Sequence, residues 1–493
     1  MTAILLDLSV RAAIVPREYW GCDGSKRSDI AGRCAMRKAC LLAGIATVLA
    51  TLAGMSAAQA ESLEDVLASA YGSNPTLLAR RAQLRATDEA VPQALSAWRP
   101  TVTFSGEVAR GRYESNTSSL ARDQGRTSES SALTVTQPLY RGGRTEAGTR
   151  KAEAVVLASR ADLTVNEQTV LLSAATAYLD VVRDEAVLQL NVNNEQVLRR
   201  QLEAAQERFR VGEITRTDVS QAEARLAGAI ADRAAADGAL QNSRAKFITI
   251  VGRPAETPVA PTKPVPVPAT FQDAKELTLA HNPGVVYADW TAEAAKHDID
   301  LKFGELLPTV SLVGEVSRGL HTTQHGSEVA SQEVALKLSV PIYEAGDVYS
   351  QVRETKHTYG QRRIEADKAR RDALESATKA WEDLQSNRSK IRSLEAQLRA
   401  SEMALAGVEE EAKVGSRTVL DVLNAEQELF TARVNLVRAQ RDETVSAYAL
   451  KSALGGMTAD GLSLAVEVYD PTKNYNDVRD RWIGTGIDDK YGE

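Results

Sequence analysis

The chain has 493 residues, 43% hydrophobic and 25% charged, with a formal net charge of −7. That length allows one large or several ordinary domains, and aromatics at only 5% beside abundant Ala, Leu, Glu, Gln and Arg favour long helices over a compact mixed core. An acidic chain without a basic cluster argues against nucleic acid as a partner.

Residues 1–60 read as a leader and signal peptide. Met36-Arg37-Lys38 is a basic start, "ACLLAGIATVLATLAG" an apolar core, and Ala58-Gln59-Ala60 a cleavage site before Glu61. Met36 is the better-placed initiator, which makes 1–35 an over-extended start or a dispensable leader. The apolar run is short and ends in small residues, so a cleaved signal fits it better than an anchor. Cleavage removes Cys22, Cys34 and Cys40, leaving no disulfide and no thiol to carry a lipid. It also removes seven Lys/Arg and four Asp/Glu, which moves the net charge from −7 to −10. Beyond residue 61 no run of 18 apolar residues occurs, which excludes a transmembrane helix there but leaves a β-barrel open.

From residue 61 the chain is written twice, as repeats over 61–252 and 272–456, with a Pro-rich linker at 253–271 and a tail at 457–493. "SNPTLLARRAQLRATDEAVPQALSAWRPTVTFSGEV" (73–108) parallels "HNPGVVYADWTAEAAKHDIDLKFGELLPTVSLVGEV" (281–316), and "QPLYRGG" (137–143) parallels "VPIYEAG" (340–346). "VGEITRTDVSQAE" (211–223) likewise parallels "VGSRTVLDVLNAE" (414–426). Each repeat reads helix, β-hairpin, long helix, helix, with the hairpins at 100–139 and 308–342. Residues 62–97 and 272–305 have helical spacing, interrupted at Pro92 in the first copy. Proline is absent from 143–208 and 346–411, about 66 residues each, and at 1.5 Å per residue each would run roughly 100 Å. Rods of that length do not fit inside a globular domain, and Ala-rich coiled-coil packing is the natural way to hold them. Helices at about 216–250 and 419–453 complete the repeats.

The strands alternate cleanly. Val102, Phe104, Gly106 and Val108 share one face, and Thr101, Thr103, Ser105 and Glu107 the other. The second copy repeats this with Val310, Leu312, Gly314 and Val316, although Val313 breaks its polar face. Alternation alone fits a soluble hairpin with one packed face. Export, two matching hairpins and continuation into long rods point instead to a membrane wall. Four strands cannot close a barrel; two copies give eight strands around a filled interior, and three give twelve with room for a pore.

The paired "NP", "WRPTV"/"LLPTV" and "TQPLYRGGR"/"SVPIYEAGD" motifs, with the two Val-Gly segments, resemble the TolC family of outer-membrane channel-tunnel proteins. The likeness runs from about residue 62 to 456, and "VGSRTVLDVL" is its most specific stretch. It implies a mainly α fold with a small transmembrane β part. Three copies would form a homotrimer whose 12-stranded β-barrel in the outer membrane continues into a 12-helix α-barrel across the periplasm. It further implies an exit duct for type I secretion or multidrug efflux. The duct would contact outer-membrane lipid and work with a periplasmic adaptor and an inner-membrane ABC or proton-driven pump.

The resemblance also assigns a periplasmic gate. Arg417 takes the place of the family's gate arginine, bonding across to Thr217 and Asp218 of a neighbouring helix. Asp421 and Asn424 fall at the pore constriction, where the family pattern has two acids, so a trimer would carry three carboxylates and not six. The family's gate tyrosine falls at Ala412. Read by themselves, Thr215-x-x-Asp218 and Thr418-x-x-Asp421 are helix-start boxes behind helix-ending glycines. The two roles are compatible.

No catalytic constellation is present in the sequence: no H-E-x-x-H, no Walker loop, no G-x-S-x-G. His321 and His325 are four apart, yet they sit in a Gly/Ser/Thr-rich hairpin tip, and neither a metal nor a cofactor is expected. "RGGR" (141–144) lacks the Lys-Ser/Thr of a phosphate loop and reads as a turn from strand to helix. The competing expectation is a periplasmic coiled-coil scaffold or adaptor that never enters the membrane.

Overall fold

The computed structural model describes residues 61–113, 124–261, 263–323 and 326–487. The leader, the signal peptide and its cleavage site, as well as His325, lie outside them.

Two long helices dominate. In chain order the elements are α1 (Leu63–Ser73), α2 (Pro75–Asp88), α3 (Ala90–Leu95), β1 (Thr101–Tyr113), β2 (Gln124–Arg141), α4 (Arg144–Arg210) and α5 (Arg216–Val251). The second repeat supplies α6 (Phe271–His281), α7 (Pro283–Phe303), β3 (Thr309–Leu320), β4 (Glu328–Ser339), α8 (Asp347–Lys413) and α9 (Val419–Ala453), and a short α10 (Lys473–Val478) lies in the tail. Both α4 and α8 are 67 residues, about 100 Å at 1.5 Å per residue. The chain is thus mainly helical with a small sheet, as expected.

The first helical segment of each repeat is broken where Asn meets Pro, which the spacing did not signal. Pro can start a helix but cannot donate inside one. Asn74 Oδ1 accepts from Thr76 N–H (2.9 Å), and its Nδ2 donates to the Ile250 carbonyl at the end of α5 (2.8 Å). Asn282 repeats this, with Oδ1 accepting from Gly284 N–H (2.9 Å) and Nδ2 donating to the Ala453 carbonyl at the end of α9 (3.0 Å). One side chain therefore starts a helix and ties off the end of another. Pro92 produces a second break, between α2 and α3 at Glu89, because it leaves the Asp88 carbonyl without its usual donor.

The strands form one antiparallel sheet in the order β1-β2-β3-β4, so β2–β3 pairing joins the two repeats. Register puts Val102 opposite Val135, Phe104 opposite Leu133, Leu133 opposite Val316, and Leu312 opposite Leu336. These residues share one face, and it is exposed: Phe104 is 73% and Val334 78% accessible. Thr103, Ser105, Glu107, Thr134, Glu315 and Glu333 lie on the opposite face, with Val313 among them. At the sheet's foot Gly142 and Gly143 turn into α4 with positive φ (64° and 74°). A side chain at Gly142 would run into the Gly304 carbonyl, so the two repeats touch backbone to backbone there.

The main core lies where the short helices stack on α4. Leu63, Val66, Leu67 and Ala70 of α1 meet Leu171, Ala174 and Tyr178 of α4 and Phe247 of α5. The fully buried Tyr178 hydroxyl donates to the Glu61 carbonyl (2.6 Å) and accepts from Val259 N–H (2.9 Å), which anchors the linker. Where α8 meets α9, Ala380 and Leu384 pack on Ala447 and Leu450, and the buried Ala366, Ala373, Ala377 and Ala380 follow heptad spacing along α8. The tail is described from 457 through residue 487. Met457, Ala459 and Leu464 join the main core, and the chain then climbs α4 toward the sheet.

Candidate gate and pore constriction

At the end of the rods farthest from the sheet, two helical hairpins turn by the same local chemistry. After α4, Gly212 (φ 81°) lets Glu213 N–H reach back to the Arg208 carbonyl (2.9 Å); after α8, Gly415 (φ 79°) lets Ser416 N–H reach Glu411 (3.0 Å). Capping boxes start the next helices. Thr215 N–H and Oγ1 donate to Asp218 Oδ2 (2.9 and 2.8 Å), and Thr418 N–H and Oγ1 donate to Asp421 Oδ2 (3.0 and 2.8 Å). Asp218 N–H and Asp421 N–H return the bond to the threonine hydroxyls (3.3 and 3.2 Å).

These bonds set the charge at the tip. Hydrogen bonds from Thr418, first its backbone and then its hydroxyl, with the Arg417 charge behind them, hold the Asp421 carboxyl below the usual range. Asp421 is therefore an anion at neutral and mildly acidic pH.

Arg417, Thr217 and Asp218 do not meet within one chain. Arg417 Nε donates to Glu411 Oε2 (2.7 Å), with its side chain half exposed. Thr217 is exposed, and Asp218 is occupied by its cap. Glu411, at the end of α8, is thus the arginine's partner within the chain.

Asn424 also makes a specific contact. Its Oδ1 accepts from Arg225 Nη2 of α5 (2.9 Å), which bridges the two hairpins. One residue earlier Leu423, 1% exposed, packs on Leu198, Ala205, Ala222 and Ala229 of the first hairpin. Glu426 is half-buried close by, and burial followed by the Glu409 charge pushes its carboxyl up.

Higher on the rods a set of buried charges joins three helices, and it escaped the sequence reading. Asp180 of α4 pairs with Arg183 (3.0 Å) and with Arg441 of α9 (2.7 Å). Asp184 pairs with Arg183 (2.7 Å) and accepts from Ser243 of α5. Burial alone would raise the Asp184 carboxyl, but the bonds from Arg183 and Ser243 outweigh it and the net shift is downward. The only local signal was "LDVVRDE" (179–185) in a helix stretch whose other residues are core.

Among the described residues no cluster of His, Cys, Asp or Glu could hold a metal, and no helix is long and apolar enough to cross a membrane. The family of outer membrane efflux proteins matches residues 66–253 and 275–456, one segment per repeat. The outer membrane efflux protein BepC of Brucella suis biovar 1 (strain 1330) is 34% identical over 452 residues, covering 91% of this chain and 97% of that protein. The outer membrane protein TolC of Escherichia coli (strain K12) is 27% identical, covering 84% of this chain and 86% of its own length. Among solved structures, the outer membrane protein VceC from Vibrio cholerae superposes with a TM-score of 0.70 at 20% identity, covering 80% of this chain and 96% of that one.

Proposed function

The chain belongs to the family of outer membrane efflux proteins, and on that premise we propose that three copies close a 12-stranded barrel above a 12-helix tunnel gated at its far end. Membership makes the protein an outer-membrane exit duct for efflux or secretion, reaching into the periplasm. The expectation of a scaffold outside the membrane gives way to it.

The observation that carries the trimer is the sheet. Four strands with one apolar, exposed face and two open edges, β1 and β4, are not a stable end state in hydrocarbon. Pairing β4 of one copy with β1 of the next removes every edge, and three copies leave a lumen. The polar face, with Glu107, Glu315 and Glu333, then lines a water-filled conduit. Nothing in such a conduit needs a catalytic group; selection of cargo falls to an inner-membrane pump and a periplasmic adaptor.

The tip is the gate. Arg417 stands half exposed on a single ion pair with Glu411, so it can exchange that partner for Thr217 and Asp218 of a neighbouring helix when the hairpins draw together. Asp421 contributes three carboxylates to the constriction, and Asn424 contributes none. Purified protein should scatter light as three chains per particle and give stable single-channel currents in planar bilayers. A monomer without conductance would refute the reading.

A further inference from the structure

After leaving the main core the tail makes further contacts along α4. Ala459 N–H donates to Glu167 (2.7 Å), the Arg160 guanidinium lies over the Tyr475 ring (5.1 Å), and Arg479 pairs with Glu153 (3.6 Å). These α4 partners step back toward its first residue, Arg144, so the tail ascends to the foot of the sheet. There Arg99, two residues before β1, donates Nη1 to the Arg481 carbonyl (2.7 Å) and stacks its guanidinium over the Trp482 ring (4.9 Å). Arg481 Nη1 in turn donates to the Gly486 carbonyl (2.7 Å), which closes residues 481–486 into a tight loop.

The loop presents apolar side chains to its surroundings. Trp482 is 65%, Ile483 91% and Ile487 65% exposed, although each polar contact just described holds the loop in place. Trp98 and Tyr140 are exposed at the same level, and Val102, the first residue of the apolar sheet face, is three residues from Arg99. An apolar patch continuous with a lipid-facing wall, rimmed by Trp and Tyr, has the composition of a membrane–water interface. Arg99 and Arg481 beside it suit phosphate headgroups.

We propose that residues 481–487 are an interfacial anchor: a C-terminal loop carried up the outside of the tunnel to dip Trp482 and Ile483 into the phospholipid of the periplasmic leaflet. The proposal rests on the reading of the four strands as a membrane wall, and the test separates the two.

Single cysteines at Ile483→Cys, Phe104→Cys and Met403→Cys, in a chain carrying Cys22→Ser, Cys34→Ser and Cys40→Ser, take a nitroxide label. Each variant, confirmed as an oligomer on a native gel, is placed in phosphatidylethanolamine/phosphatidylglycerol vesicles and its collision with oxygen and with a water-soluble nickel chelate is compared. The proposal expects oxygen to exceed nickel several-fold at 104 and at 483, and nickel to exceed oxygen at 403. Water-like behaviour at 483 with lipid-like behaviour at 104 overturns the anchor alone, and water-like behaviour at both overturns the membrane wall with it. Protection from both reagents at 483 places a neighbouring copy over the loop and also overturns the anchor. Brominated lipid should quench a fluorescence component that Trp482→Phe abolishes; unchanged quenching in that variant counts against it.

Discussion

Replacing Asn282 separates two jobs held by one side chain. Asn282→Ala removes the acceptor for the Gly284 and Val285 N–H groups at the start of α7, and also the donor to the Ala453 carbonyl at the end of α9. Loss of an Asn cap costs about 1 kcal/mol. Loss of the amide–carbonyl bond costs about 1 kcal/mol more. Together these total about 2 kcal/mol of local opening, or roughly 30-fold faster amide exchange where exchange follows local opening. Asn282→Asp keeps the cap and loses only the donor, so exchange should quicken by only about fivefold. Hydrogen exchange read by mass spectrometry on peptides spanning 283–288 and 448–455 distinguishes the two. The Ala variant should loosen both peptides, whereas the Asp variant should loosen mainly the α9 end. Equal effects from both variants, or exchange within twofold of the parent, would refute the dual role. Asn74 makes the same bonds to Thr76 and Ile250, and its substitutions should give the same ranking.

Asp421→Ala should weaken block of the channel by multivalent cations in planar bilayers, and unchanged block removes Asp421 from the pore ring. Arg417→Ser should raise single-channel conductance by loosening the closed tip; equal conductance reduces Arg417 to a surface ion pair with Glu411. Asn424→Asp should tighten cation block by less than Asp421→Ala weakens it, because Arg225 at 2.9 Å would neutralise part of the new charge, and adding Arg225→Ala should release the rest. Equal block in the single and double variants would show that Arg225 does not screen this position. Burial and the Glu409 charge raise the Glu426 carboxyl, so its ionised form opposes folding above that raised value and ceases to do so once it is protonated. Glu426→Gln should therefore raise the apparent unfolding temperature near neutral pH and leave it unchanged below about pH 4. A gain at both pH values would show that charge is not the cause.

What could be read from the sequence was what local chemistry fixes. The threonine–aspartate boxes and the glycines before them were legible, because a cap is decided within four residues. The two faces of the sheet were legible too, since a period of two survives any tertiary surroundings. The break at Asn282, an Asn cap before Pro283, is equally local and was overlooked; what no local pattern carries is its bond to a carbonyl 171 residues away. Asp180 and Arg183 looked like ordinary charged helix residues until Arg441 of a distant helix met them. The site divides the same way: the cap at Asp421 was legible in Thr418-x-x-Asp421 and its place at the constriction came from the family resemblance, whereas the Arg417–Glu411 pair and the Arg225–Asn424 bridge depend on how the turns fold back and pack.

The tip concentrates two demands on one carboxylate. Asp421 holds the first turn of α9 together and, in the gate we propose, supplies the charge at the constriction, so changing that charge also loosens the turn that positions it. Asn424 starts no helix. Under that proposal the charge at position 424 can change at the cost of the Arg225 bridge alone, whereas position 421 is also held by its helix cap. If the gate lies at this tip, the neutral residue at 424 marks where its charge can be retuned.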